Sequence, residues 1–228
     1  MIAYVSVGNE LIVPSLPQSL REGAKLMAGG AFWRALGMSL HRAAVAFAIS
    51  FVLALVLAVV AYQLPSVAYF FAPIVSVLRS MPVLAVLLIL LAFLGAGEAP
   101  IAVAFLSLFP MLYTGILAGL SSVDKGLIDA SRVCGTPLWR RITWIYLPLS
   151  SPYIVREAGG ALSFSLKLIV SAEVLSNTAR SLGGMMQEAK VYDEIPQLFA
   201  LVSVTFLLGL ILELVSTVVA SVLERKIH

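Results

Sequence analysis

Long uninterrupted apolar runs alternate with short polar segments along this chain. The runs cover residues 43–62, 67–94, 99–120, 151–172 and 196–222, each near or above the roughly 20 residues that an α-helix needs to cross the hydrocarbon core of a bilayer. The pattern therefore predicts five transmembrane helices. Strands are excluded, because the apolar residues are continuous rather than alternating, and backbone groups in lipid are satisfied only within a helix or a closed barrel. Ahead of the first run, the stretch 17–40 reads as an amphipathic helix with Leu16, Leu20, Ala24 and Met27 on one face, lying along the membrane surface. The expected organisation is a surface segment over 1–42 and an all-α, polytopic membrane helical bundle over 43–228.

Composition supports a bilayer protein: 61% of the 228 residues are hydrophobic and 12% charged, with a mean hydropathy of +1.02, far from the norm for a soluble domain. The net charge of +3 sits largely in loops and ends and suits a membrane-facing side better than a nucleic-acid partner. A single cysteine, Cys134, excludes an internal disulfide framework; it reads as a small apolar residue rather than a redox group. The N-terminus lacks the charged start, apolar core and cleavage site of a signal peptide, so the first run is the expected insertion signal.

Several chemistries are absent from the sequence. Lys25, Lys125, Lys167, Lys190 and Lys226 all lack a preceding glycine, so there is no phosphate-cradling GxxxxGK[ST] loop and this chain is not an ATPase. His41 and His228 have no paired ligand spacing for zinc, and no Gly-x-Ser-x-Gly elbow or carboxylate pair is present. The expectation is a non-enzymatic chain with no catalytic residue, metal or cofactor.

Between the third and fourth runs lies a polar, basic island at 129–148: Asp-Ala-Ser-Arg-Val-Cys-Gly-Thr-Pro-Leu-Trp-Arg-Arg-Ile-Thr-Trp-Ile-Tyr-Leu-Pro. Its first residues predict a short helix over 129–134 that Gly135 stops, since glycine takes the left-handed conformation without a Cβ clash. A second helix is expected at once, capped by Thr136, with Pro137 in its first turn and Pro148 at its end. Two short helices at a fixed angle, carrying Trp139 and Trp144, make a rigid protrusion.

This order of acidic residue, Ala, small residue, Gly, basic and aromatic stretch, then Leu-Pro resembles the cytoplasmic "EAA" loop of binding-protein-dependent ABC importer permeases. The resemblance implies that 124–148 is a coupling loop seated in a groove of an ATPase subunit, with Asp129, Ala130, Ser131, Gly135, Arg140, Arg141, Leu147 and Pro148 as its coupling residues. Asp129 stands for the usual Glu, Ser131 for the second Ala and Cys134 for an aliphatic residue; charge sign and small size are kept.

The resemblance extends over roughly residues 29–228 and is strongest to the nitrate/sulfonate/taurine branch, close also to the methionine-importer type in having five spans. It implies a type I ABC importer permease fold in a prokaryotic inner membrane. The partners it implies are a second, identical permease subunit, two cytoplasmic ATP-binding subunits and an extracytoplasmic binding protein. The cargo it implies is a small organic or inorganic anion such as a sulfonate or nitrate, or a vitamin precursor. The rival class is a stand-alone ion-gradient-driven secondary transporter or channel, whose uptake would survive removal of every ATPase; the absence of an inverted repeat weakens it.

Charge sets the expected orientation. Lys125, Arg132, Arg140 and Arg141 in the central loop, with Arg225 and Lys226 after the last run, favour the cytoplasmic side by the positive-inside rule. Arg21, Lys25, Arg34 and Arg42 precede the first run and favour the opposite assignment; the ATPase partner implied for the central loop decides for it.

Within the runs, Arg79-Ser80-Met81-Pro82 interrupts the second. Proline removes a donor and clashes with the preceding turn, a break tolerated only against protein or a water-lined cavity. Arg79 and Pro82 thus line a translocation pathway, as the family's Arg-Ser-x-Pro element implies, or Arg79 snorkels while Pro82 kinks the helix. Lys167 and Glu173 bracket the end of the fourth run, after a small-residue face of Gly159, Gly160, Ser163 and Ser165. An ionisable group at depth costs about 2.5–3.5 kcal/mol, so Lys167 reads as a pathway charge for an anion, with a salt bridge or snorkelling as the alternatives. Glu173 resembles the acid following Ala at this place in the nitrate/sulfonate/taurine branch, which implies a role in gate geometry. The expected pathway set is Arg79, Pro82, Ser163, Ser165, Lys167 and Glu173. Gly115 and Gly119 read as helix packing. The polar segment 177–196 reads as an external contact for a binding protein or as a plain solvated loop.

Overall fold

The computed structural model describes residues 16–227, and the elements in that range are helices. They are α1 (Leu16–Ala28), α2 (Gly30–Gln63), α3 (Pro65–Ser80), α4 (Val83–Ser121), α5 (Lys125–Val133), α6 (Leu138–Arg141), α7 (Leu147–Ser176), α8 (Leu182–Val191) and α9 (Ile195–Ile227), with a π turn at Ile142–Tyr146. His228 and the side chains of Leu16 and Leu20 lie outside the described residues.

Among the described residues, four helical stretches are long and apolar enough to cross a membrane: Gly30–Gln63, Val83–Ser121, Leu138–Ser176 and Ile195–Val219. The second and third expected runs are divided differently from the sequence reading. Met81 is extended (φ −65°, ψ 132°) and ends α3, because the ring of a following proline disfavours the α conformation in the residue before it. The break at Arg79–Pro82 is therefore real. Beyond it, α4 runs through the expected gap and turns at Gly95 (φ 75°, ψ 174°), a backbone state that side-chain-free glycine adopts readily. The two parts of α4 fold onto each other, with Leu87 packed against Ala99 and Val103.

The expected helix end at Pro148 is absent. From Leu138 the chain stays helical to Ser176. The π turn ahead of the proline shifts the bonding register, Leu147 N–H donating to the Ile142 carbonyl, and a widened turn lets the helix accommodate a residue with no N–H.

By packing, the chain divides into two compact units. One draws on residues up to Ala46, on Pro82–Ala104 and on Phe164–Ile211; the other on Phe47–Met81, Phe105–Ser163 and residues from Leu212 on. In the first unit the core is Leu87, Ala99, Val103 and Ala172, flanked by Val83, Val86, Leu90 and Leu91. The Trp33 Nε1–H donates to the Met27 carbonyl at 2.8 Å, tying the start of α2 to the end of α1.

In the second unit small residues set the helix spacing. A Cβ on Gly115 would overlap the Glu157 side chain, and one on Gly119 would stand 3.0 Å from the Tyr153 Cβ. The pair thus serves close approach of α4 and α7, as expected. Tyr62 and Tyr146 meet edge to face, 5.1 Å between ring centres. Large apolar side chains are exposed in each unit, Leu88, Phe93 and Phe206 in the first and Val218 in the second, which suits a lipid surface.

Candidate functional site

The polar island folds as an elbow. α5 starts earlier than expected, because the Asp124 carboxylate accepts the Gly126 N–H at 2.8 Å and caps the helix. Its end is the one predicted: Gly135 is left-handed (φ 68°), with Gly135 N–H donating to the Arg132 carbonyl at 3.0 Å and Thr136 N–H to Ser131 at 3.1 Å, the two bonds of a Schellman stop. Thr136 does not cap the next helix. Pro137 occupies that position without a side-chain bond, its fixed φ of −64° leading straight into α6.

The elbow carries its chemistry outward. Asp129, Ala130, Gly135, Arg140 and Pro148 are exposed; Ser131, Arg141 and Leu147 are half-buried. Asp129 pairs with Arg132 at 3.4 Å, and the Arg140 guanidinium lies over the Trp139 ring, 5.3 Å from its centre. Trp144 is 77% exposed and Val133 88%. The buried Nε of Arg141 has no hydrogen-bond partner among the described residues.

Inside the first unit a different polar cluster forms around Glu173, which is fully buried. One carboxylate oxygen accepts the Arg42 guanidinium at 3.0 Å. The other accepts the Ser39 hydroxyl at 2.6 Å and the Gly183 N–H at 3.3 Å, while the Ser39 oxygen itself accepts Leu182 N–H at 3.0 Å. The cluster joins α2, α7 and the first turn of α8. In the same unit the buried Ser165 hydroxyl donates to the Ala43 carbonyl at 2.9 Å; Ser163, in the second unit, is buried as well. Lys167 is exposed on α7. Arg42, counted in the sequence as a flanking charge, is neutralised inside the fold and carries no weight as an orientation signal. Its pairing with Glu173 could not be read from the sequence, where 131 residues separate the two.

The second unit holds a cavity of about 760 Å³ between α3 and α4, at the Arg79 break. Its polar lining is Tyr69, Ser76, Arg79, Ser80, Tyr113 and Thr114. Of these, Arg79 and Ser80 stand out in the sequence, at the charged break in an apolar run; Tyr69, Ser76, Tyr113 and Thr114 carry no such signal.

Comparison with known proteins gives these helices a context. The family described as "Binding-protein-dependent transport system inner membrane component" matches residues 50–228. A probable ABC transporter permease protein of Brucella melitensis is 32% identical over 142 residues, 62% of this chain and 57% of that protein, so the chain spans little more than half of that relative. The taurine transport system permease protein TauC of Escherichia coli is 26% identical over 220 residues, 93% of this chain and 79% of that protein. Among solved structures, a chain of the MetNI methionine ABC transporter in inward-facing conformations superposes with a TM-score of 0.69 at 20% identity, covering 86% of this chain and 95% of that one. That likeness shows a shared fold, the type I importer permease fold.

Proposed function

This chain belongs to the family of binding-protein-dependent transport system inner membrane components, the ABC importer permeases, and from that premise we propose that it forms the translocation pathway of an ATP-driven importer. The observation that carries the reading is the elbow: two short helices locked by a left-handed Gly135, presenting basic and aromatic side chains between long apolar helices. Its partner is a cytoplasmic ATP-binding subunit, which hydrolyses ATP on behalf of a chain that has no phosphate-binding loop of its own.

In this reading the chain crosses a prokaryotic inner membrane five times: with α2, with residues 65–94 interrupted at Met81–Pro82, with 96–121, with 138–176 and with 195–219. The elbow is cytoplasmic, α1 rests on the extracytoplasmic face of the membrane while residues 30–42, expected at the surface with it, belong to the membrane-crossing α2, and 177–196 meets an extracytoplasmic binding protein. Two copies of the chain and two ATPases complete the assembly. Closure of the ATPases moves the elbow through Asp129, Ala130, Ser131, Gly135, Arg140, Arg141, Leu147 and Pro148, converting an inward-open pathway to an outward-open one. Arg79 and Lys167 are the charges of the pathway and Pro82 shapes its wall. Ser163, Ser165 and Glu173, expected on the pathway and all buried, serve it as positioning residues. The cargo is a small anion of the sulfonate or nitrate kind, or a vitamin precursor, as in the nitrate/sulfonate/taurine branch.

The test is co-purification of the chain, expressed with its neighbouring genes, followed by ATPase and uptake assays with and without Gly135→Asp. An ATPase should co-purify, and the variant, in which a Cβ meets nothing within 4 Å, should accumulate in the membrane yet fail to couple hydrolysis to uptake. Normal uptake by Gly135→Asp at normal abundance would overturn the reading.

A further inference from the structure

The cavity between α3 and α4 has an uneven supply of hydrogen-bonding groups. The Ser80 hydroxyl donates to the Val77 carbonyl at 3.0 Å, and the Thr114 hydroxyl to the Pro110 carbonyl at 2.9 Å or the Met111 carbonyl at 3.0 Å. Their protons are engaged and only oxygen lone pairs face the cavity. Ser76 makes no hydrogen bond and Arg79 no ion pair among the described residues. No acidic residue lines the wall. The one full charge in the cavity is therefore the Arg79 guanidinium, with the Ser76 O–H one helical turn away on the same face, and the remaining surface is largely apolar. A charge at membrane depth is tolerated only against water, a counter-charge or a partner.

We propose that this cavity is the charge-selective site of the pathway, admitting a solute by its anionic head and turning away one whose only charge is a quaternary ammonium. The planar fork of Arg79 matches the paired oxygens of a sulfonate or carboxylate, and Ser76 supplies a further donor. Ala72, Val75 and Leu117 cover a compact carbon body. An amino group on that body finds acceptors in the hydroxyl oxygens of Thr114 and Ser80, so a zwitterion with an anionic head also fits, while a choline-like cation meets Arg79 with like charge. This assignment rests on the importer reading for its place in a pathway and adds where, and by which residues, an anionic head is told from a quaternary ammonium.

The test needs no knowledge of the cargo. Cys134, the single cysteine, is replaced by serine, and Ser76→Cys is introduced in the full chain in membrane vesicles with its partners. Labelling is followed with sulfonatoethyl methanethiosulfonate and with trimethylammonioethyl methanethiosulfonate, each rate divided by that reagent's rate with a free thiol in solution. The anionic reagent should be favoured about tenfold or more, the scale on which a cleft of one charge sign concentrates opposite charge. Arg79→Lys should retain the preference and Arg79→Gln abolish it. Ethanesulfonate should slow the labelling and choline should not. Where Ser76→Cys fails to accumulate, Thr114→Cys reads the same cavity from α4. Equal normalised rates, or a preference that persists in Arg79→Gln, would overturn the proposal. ATP-independent uptake with the preference intact would sink the importer reading alone; ATP-driven uptake without the preference would sink this site alone.

Discussion

Two polar regions of this apolar chain treat charge in opposite ways. Glu173 is fully buried, and its carboxylate collects donors from Arg42, Ser39 and Gly183, so that α2, α7 and α8 are fixed by one ion. The elbow from α5 to α6 turns Asp129, Arg140 and two tryptophans outward, and leaves the Arg141 Nε buried without a partner among the described residues. A satisfied internal cluster holds a shape whatever lies outside. A rigid, basic and aromatic surface left open by its own chain is one that another chain can complete. Rigidity is common to both, in the first through ion pairing and in the second through backbone geometry at Gly135.

The sharpest way to break this contrast is to remove one member of the buried cluster. Glu173→Ala strands the Arg42 guanidinium in the interior, a change that costs about 3–5 kcal/mol because an uncompensated charge is left behind. The expected result is a steep fall in membrane abundance and in Tm. Arg42→Gln combined with Glu173→Gln keeps hydrogen bonding and removes both charges, so the double variant should be more stable than Glu173→Ala. A Glu173→Ala protein with the parental Tm would show that the cluster does not hold the unit together.

The two glycines offer a finer comparison, one from each region. A Cβ on Gly183 would overlap the Glu173 side chain and lie 2.7 Å from the Val170 carbonyl oxygen, obstacles that cannot swing aside, so Gly183→Ala should cost about 2–3 kcal/mol through overpacking. At Gly135 the space is open and only the left-handed backbone resists, at about 1–2 kcal/mol for a residue with a Cβ. Thermal unfolding of the two alanine variants should rank them in that order. The reverse ranking would mean that the elbow, and not the Glu173 cluster, is the tighter structure.

How much of this was legible beforehand depended on the range of the cause. Helix formation, the break at Met81–Pro82 and the stop at Gly135 were readable, because each is decided by a residue and its immediate neighbours. The same local rules failed at Pro148, where a π turn six residues upstream absorbed a proline that would otherwise end a helix. They failed also at Gly95, a glycine among apolar residues whose left-handed backbone folds α4 back on itself. Site residues divided the same way. Arg79 stood out as a charge in an apolar run, whereas Ser39 and Arg42, which satisfy Glu173, lie near the edge of the first run and pass for ordinary surface groups. The polar wall around Arg79 depends on which turns of α3 and α4 face each other, and periodicity alone does not give that.

The smallest expected change in stability falls on the elbow's aromatic side chains, and it completes the comparison. Trp144 is 77% exposed and Trp139 59%, so Trp144→Ser and Trp139→Ser remove little packing within the chain and should shift stability by no more than about 0.5 kcal/mol, as surface substitutions do. Their effect on a partner is a separate quantity. Exposed tryptophans on a rigid protrusion are the side chains most able to anchor in a groove, and losing such an anchor costs about 2 kcal/mol or more of association, roughly a thirtyfold weaker complex. Recovery of the proposed ATPase partner with the tagged chain should therefore fall sharply for Trp144→Ser while its Tm stays unchanged. If Tm falls by several kcal/mol equivalents and recovery tracks only the remaining folded protein, the tryptophans serve the chain's own packing, and the division between a closed cluster and an open surface fails at its open end.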